Sequence, residues 1–253
     1  MASHLAIQVT DNAARFVSIK NSVVVNQHDL VLKDDASSSK KEMMENGMRS
    51  ISFLAEDFDE VTLSWATKKS SLVPNTIFAD TKPSSVYELC FGKNSTENSI
   101  DYNRIAELSV VNVYDMPDWI KRIFVIKYPR IMVQHEGTHV LRQVMSASAF
   151  YLKATVVLYH DHFQLTLVKH NNLEFYSFFD YQSSEDVLYH LMFTLQQKEF
   201  TNEKGSLELV AGAECKNDVI ENLSRDIKRV KDLEQLEVLT PKDFIPKSQQ
   251  LCV

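Results

Sequence analysis

Apolar and polar positions alternate with a period of two along several short stretches of this chain, and the stretches recur in the same order. Leu5 to Val9 and Phe16 to Lys20 are rich in Val and Ile, and Asp11-Asn12-Ala13-Ala14 between them is turn chemistry. Asn21-Ser22 then turns the chain into Val23-Val24-Val25, because Asn tolerates the left-handed backbone that a tight hairpin demands. The pattern predicts a three-strand meander. Ser39-Lys40-Lys41-Glu42 is a capping box, in which hydroxyl and carboxylate each satisfy an orphan helix N–H. Met44, Met48, Ile51 and Ala55 follow at helical spacing, with Gly47 weakening the helix a little. Asp59 to Ala66 sets Val61, Leu63 and Trp65 against polar neighbours, as a half-buried strand does.

The order repeats from Ala154. Thr155 to Tyr159, His162 to Val168 and Leu173 to Phe179 predict three strands, with Asn171-Asn172 standing where Asn21-Ser22 stood. Ser183 and Asp186 repeat the capping signature before Val187, Leu188, Leu191, Met192 and Leu195. Leu207 to Val210 matches the strand through Val61 to Trp65. Beyond Ala211-Gly212-Ala213 come an amphipathic helix through Val219, Ile220, Leu223, Ile227 and Val230, a strand at Leu236 to Leu239, and a polar tail from Thr240.

Between the copies, Ser71-Leu72-Val73-Pro74 reads as a strand end, Ser84 to Phe91 as a short helix, and Gly92 to Asn98 as a polar loop. Arg104 to Tyr114 reads as one long strand. Asp115 is positioned to cap the next helix, with Pro117 tolerated in its first turn and Trp119, Ile120, Ile123 and Phe124 inside. Ile131-Met132-Val133 is a further strand, and Thr138 to Phe150 a helix linking the copies. The organisation expected is a first half at 1–136 with a middle insertion, a linking helix at 137–150, and a second half at 151–253.

Composition narrows the function. With 253 residues, 44% apolar and 24% charged, the chain can bury one large core or two smaller ones. A net charge of -7 without clustered Lys or Arg argues against nucleic acid, and Lys40-Lys41 and Lys68-Lys69 read as solvated faces. The apolar run Ile123 to Ile126 is too short to cross a bilayer, and Met1-Ala2-Ser3-His4 lacks a secretory signal pattern, so a cytoplasmic location without membrane insertion is expected. Cys90, Cys215 and Cys252 are widely spaced and read as reduced, mostly packing residues. Only five glycines occur, where average usage of roughly 7% would give about three times as many. Backbone that closely approaches phosphate normally needs glycine.

Two halves of hairpin, hairpin, capped helix and strand, in tandem, resemble the actin-like ATPase superfamily, which includes actin, Hsp70, sugar kinases and the pilus assembly protein PilM. The opening strand with Phe16-Val17-Ser18-Ile19, the Ser71-Leu72-Val73-Pro74 turn and the segment after Val210 resemble, more closely, a bacterial domain-of-unknown-function family assigned to that fold. The resemblance implies an α/β, ribonuclease H-like architecture of two duplicated halves around a cleft. It also implies a place for ATP, with phosphate held by backbone N–H groups at each first hairpin and an Asp at the end of each leading strand orienting hydrated Mg²⁺. Here Gln8 stands near the first Asp position and Thr10 near the following glycine. Val157 or Leu158 stands near the second Asp position, and Tyr159-His160-Asp161-His162 replaces the glycines. Asp11, Asn12 and Asp161 lie close by, the two carboxylates one turn position too far along. The adenosine corner is reduced to Ala211-Gly212. Gln8, Thr10, Asp11, Asn12, Tyr159, His160, Asp161 and Gly212 are therefore candidates only for lining the cleft, and no cofactor or catalytic residue is expected.

A rival reading comes from His135-Glu136-Gly137-Thr138-His139, which matches H-E-x-x-H. On a helix the two His would share a face and bind Zn²⁺, with Glu136 as general base. Pro129 and the β-branched run before His135 predict instead a strand ending there, Gly137 suits a turn into a helix, and no third ligand follows at a familiar spacing. His160-Asp161-His162 with His170 reads as turn residues rather than a metal set. The function expected is a non-enzymatic binding or assembly module that has lost ATP binding, with a protein partner or a second copy of itself. The alternatives are a zinc hydrolase using His135, Glu136 and His139, or an ATP-binding protein with an unusual phosphate grip.

Overall fold

The computed structural model describes residues 3–33 and 38–252. Met1 and Ala2, on which part of the signal-sequence reading rests, lie outside them. The chain divides into two compact units, Met1–Val140 with Ile245–Val253, and Leu141–Phe244. Residues from Ile245 onward, expected with the second half, thus group with the first.

In the first unit, β1 (Ser3–Val9), β2 (Ala13–Lys20) and β3 (Val23–Val31) form the meander, followed by α1 (Lys40–Ser50) and β4 (Glu60–Trp65). The Ser39 hydroxyl accepts from the Glu42 backbone N–H, and the Glu42 carboxylate accepts from the Ser39 N–H. The helix stops at Ser50, and a 3-10 turn at Ser52–Ala55 buries Leu54 while Ala55 is exposed, so Ala55 does not continue the helical face. Next come β5 (Ser70–Pro74), α2 (Pro83–Phe91), β6 (Asn98–Ile105), β7 (Val110–Pro117), α3 (Asp118–Lys127), β8 (Met132–His135) and α4 (Glu136–Ser146). The five-stranded sheet has the order β3-β2-β1-β4-β8, with β1, β4 and β8 parallel.

Three expectations for this unit are corrected. Arg104 to Tyr114 is not one strand: β6 ends in a 3-10 turn at Ala106–Leu108, and Ser109, with φ of 53°, reverses the chain into β7. Ser rarely takes that conformation, so the reversal carries no local signal. Asp115 caps no helix. It lies in β7, its side chain accepting from Asn98 Nδ2 at 2.8 Å, and α3 starts at Asp118 without a side-chain cap. The linking helix starts at Glu136 and ends at Ser146, earlier at both ends than Thr138 to Phe150.

The second unit runs through β9 (Leu152–Leu158), β10 (His162–Lys169), β11 (Asn172–Asp180), α5 (Ser184–Gln197), β12 (Gly205–Ala211), α6 (Asn217–Ile227) and β13 (Leu236–Leu239). Its sheet order, β11-β10-β9-β12-β13, reproduces the first. Ser183 and Asp186 form the second capping box. The tail from Thr240 is not merely polar. It contains α7 (Phe244–Gln249), in which Phe244, Ile245, Ser248 and Gln249 are buried.

Each unit has its own core, made by the same physical device. In the first, Leu5, Ile7, Val9, Phe16, Leu63 and Trp65 face Met44 and Met48 of α1 and Ile120 and Phe124 of α3. In the second, Val156, Leu158, Phe163, Leu165, Leu207 and Leu209 face Val187 and Leu191 of α5 and Leu223 and Ile227 of α6. Each such side chain contributes about 1.5–3 kcal/mol by leaving water. The insertion between β4 and β8 adds a small sheet, β5-β7-β6, closed over Tyr87, Val111 and Val113. Cys90 is exposed and Cys215 half-buried, so Cys90 is not a packing residue, and the side chain of Cys252 lies outside the description. No helix among the described residues is long and apolar enough to cross a membrane.

Candidate functional site

Because β1, β4 and β8 run parallel, their carboxyl ends lie together, and α4 begins where β8 ends. Such strand ends are where open α/β sheets place ligands. The odd residues of β1 enter the core, which turns Gln8 to the other face beside its register partner Ser64. Glu136, the first residue of α4, is fully buried and accepts from Gln8 Nε2 at 2.6 Å and Ser64 Oγ at 2.9 Å. A carboxylate at a helix N-terminus is favoured by the helix dipole. The Gln8 amide is thus bound to Glu136 at the position where the superfamily resemblance expects a free Asp.

The adjoining turn is closed on itself. Thr10 N–H donates to the Ala13 carbonyl at 2.9 Å, while Thr10 Oγ1 accepts from the backbone N–H groups of Asn12 at 3.2 Å and Ala13 at 2.9 Å. Two amide groups that could face an anion are turned inward to a hydroxyl. Asp11 and Asn12 are exposed on the turn.

In the second unit, Tyr159 follows β9 and is buried, with His162 stacked on it at 4.6 Å between centroids and 15° between planes. Tyr181 Oη donates to the Tyr159 carbonyl, and the Tyr181 N–H donates to the Asp161 carbonyl at 3.0 Å. The phenol of Tyr181 is held above its ordinary pKa, first by burial and then by the charges nearby. Gly212, after β12, donates its N–H to the Leu158 carbonyl at 2.8 Å. A Cβ at Gly212 would lie 2.7 Å from Tyr159 Cδ1, so the ring rests directly on this glycine. Tyr159 and Gly212 are brought together. His160 and Asp161 are exposed in the turn, and Asp161 Oδ1 meets His162 Nδ1 at 2.7 Å. His170 is at the opposite end of the eight-residue β10 and takes no part.

The H-E-x-x-H stretch straddles a boundary: His135 closes β8, Glu136 opens α4, and there is no loop between them. The same-face argument for two histidines one helical turn apart therefore does not apply. Gly137 N–H donates to His135 Nδ1 at 3.0 Å, which places the ring proton on Nε2, where it donates to the Thr67 carbonyl at 2.9 Å. Asn112 Nδ2 lies 3.1 Å from Nδ1 and 3.2 Å from Thr138 Oγ1, and His135 N–H donates to Asn103 Oδ1. His135 thus ties β8 to the inserted sheet with both nitrogens engaged. His139 is buried in the first turn of α4. Among the described residues no three His, Cys, Asp or Glu side chains form a group able to hold a metal.

Sequence reasoning missed Ser64, whose only signal is a polar residue between the core residues Leu63 and Trp65. It also missed a second buried chain on the same face of the sheet. Thr62 Oγ1 donates to Gln249 Oε1 at 2.6 Å and so accepts from His4 Nε2 at 2.8 Å. Burial depresses the His4 pKa to about 4.

Two five-stranded sheets of identical order, each with paired helices on one face and a closed hairpin turn at the end of its leading strand, define an actin-like ATPase fold. A structure from Bacteroides thetaiotaomicron, a protein with actin-like ATPase fold and unknown function, is similar over 99% of this chain and 96% of its own, with a TM-score of 0.78 at 17% identity. A chain of the PilM–PilN type IV pilus biogenesis complex is similar over 98% of this chain and 94% of its own, with a TM-score of 0.60 at 9% identity. The family described as "Protein of unknown function (DUF3822)" matches residues 2–230, and the chain belongs to it. No curated protein matches the sequence.

Proposed function

We propose that this chain is a non-enzymatic binding or assembly module on an actin-like fold that has lost ATP binding, with a protein or a second copy of itself as partner. The observation that carries the reading is the Tyr159 ring resting on Gly212. Within the second unit, the ring occupies the space between the first hairpin turn and the β12–α6 turn, where a phosphate chain needs open access to backbone N–H groups. The inward-turned amides at Thr10 and the bound state of Gln8 support the same reading in the first unit. Similarity to a chain of the PilM–PilN complex supports a protein partner. Isothermal titration calorimetry with Mg-ATP tests the loss: no saturable heat is expected, and a micromolar dissociation constant would refute it.

A further inference from the structure

We propose that Phe150 and Tyr151, in the second unit, form a docking site for a proline-containing extended segment of a partner protein. The proposal rests on the reading of the chain as a binding module and names the chemistry of the segment it binds. Both side chains are large, apolar and open, at 66% and 62% exposure, although they adjoin each other in sequence. Their rings stand perpendicular, at 87° and 5.6 Å, and His170 meets Phe150 edge-on at 4.9 Å. The result is an aromatic corner facing solvent.

The backbone beneath the corner is hydrogen-bonded. The segment before β9 is fastened to the β10–β11 turn, where His170 and Asn171 have φ of 51° and 62°. Asn171 Oδ1 accepts from Ala149 N–H at 2.7 Å and Ser148 Oγ at 3.3 Å, and Asn171 N–H donates to the Ala149 carbonyl at 3.0 Å. His170 N–H donates to the Phe150 carbonyl. Aromatic side chains have few rotatable bonds to order on binding, which is how a few anchors come to dominate an interface.

A groove of about 430 Å³ continues from the corner across the starts of β9, β12 and β13. Lys204, Ser206 and Gln235 line it, and none of their side chains has a hydrogen-bond partner among the described residues. The groove thus combines an apolar corner with unused donors. A polyproline II segment has the converse chemistry: proline rings seat against aromatic faces, and the backbone, lacking proline N–H groups, presents only carbonyl acceptors. Lys153 is already paired with Glu208, whereas Glu237 on the rim has no ion-pair partner among the described residues and suits a basic residue flanking the prolines.

The test is fluorescence anisotropy with a labelled oligoproline peptide bearing one terminal Arg, against a Gly-Ser peptide of equal length and charge. The proteins are the full chain, Phe150→Ala and Tyr151→Ala, with thermal melts as the folding control, since truncating side chains this exposed leaves the fold intact. Saturable binding of the proline peptide alone, weakened roughly tenfold in each variant, is expected. Absence of saturable binding, equal binding of the Gly-Ser peptide, or binding undiminished in both variants overturns the proposal. The Mg-ATP titration stays separate: a chain that binds neither ligand loses this inference and keeps the reading beneath it, while one that binds ATP loses that reading whatever the peptide does.

Discussion

Replacing Gly212 by alanine tests whether Tyr159 closes the second unit's hairpin. Gly212 is not a positive-φ glycine, so an alanine suits its backbone, and by restricting the unfolded chain such a change alone would stabilise by about 0.4–1 kcal/mol. The new Cβ, however, would lie 2.7 and 2.8 Å from two ring carbons of Tyr159 and 2.9 Å from the Leu158 carbonyl oxygen. Contacts that short force the ring or the strand to move, at about 1–3 kcal/mol. The net expectation is a destabilisation of about 1–2 kcal/mol. Tyr159→Ala alone should cost about 3 kcal/mol, as a buried aromatic removed. In the double variant two of the three short contacts are gone, so the Gly212→Ala change should cost less than about 1 kcal/mol, giving a coupling of about 1 kcal/mol. Urea unfolding of the four proteins, followed by circular dichroism at constant slope, measures each corner of the cycle. Additivity within roughly 0.3–0.5 kcal/mol would show that the ring does not rest on Gly212. The proposed loss of nucleotide binding would then be without its main support.

Two further measurements address the buried polar groups. His4 has a folded pKa of about 4 against an unfolded value of 6.5, so between those values the unfolded chain binds a proton that the folded chain does not. Stability is full above pH 6.5 and falls as pH is lowered toward 4, by about 3 kcal/mol in total; urea midpoints across that window should slope more steeply for the natural chain than for His4→Gln, and equal slopes would refute the assignment. Glu136→Gln replaces the carboxyl acceptor shared by Gln8 and Ser64 with a single amide oxygen and should cost about 1 kcal/mol. Glu136→Leu leaves both donors buried without an acceptor, and adding Gln8→Leu should recover part of its loss, because an unmet donor costs more than an absent one. No recovery would count against the hydrogen-bonded arrangement.

What the sequence made legible is what local chemistry specifies. Both meanders, both capping boxes and the strand after each helix follow from alternation and from Ser paired with Glu42 or Asp186 three residues on. The reversal at Ser109 was not legible, because the left-handed residue there is neither Gly nor Asn. Nor was the buried end of the tail, since Phe244-Ile245 is too short an apolar run to signal a helix. For the site, the resemblance located Gln8, Thr10, Tyr159 and Gly212, but nothing in the sequence told that Gln8 and Ser64 would both meet Glu136. Ser64 and Glu136 are separated by 72 residues and meet only through parallel register. The H-E-x-x-H match shows the converse, a motif whose meaning depends on a strand-to-helix boundary falling between its first two residues.

The two units close their hairpins by unlike means, and this bears on how nucleotide binding would be lost. In the first unit the means are polar: Thr10 Oγ1 takes the turn's amides and Glu136 takes Gln8. In the second they are aromatic: Tyr159 covers Gly212 and His162 covers Tyr159. The superfamily resemblance implies a phosphate contact at each first hairpin, so under the proposed reading either change alone removes one of them. Removing the Tyr159 ring opens space in the second unit, yet it supplies neither free amides at Thr10 nor a carboxylate at Gln8. Tyr159→Gly should therefore remain silent toward Mg-ATP even where it folds, which separates a site blocked by one side chain from a site whose chemistry has been replaced in both halves.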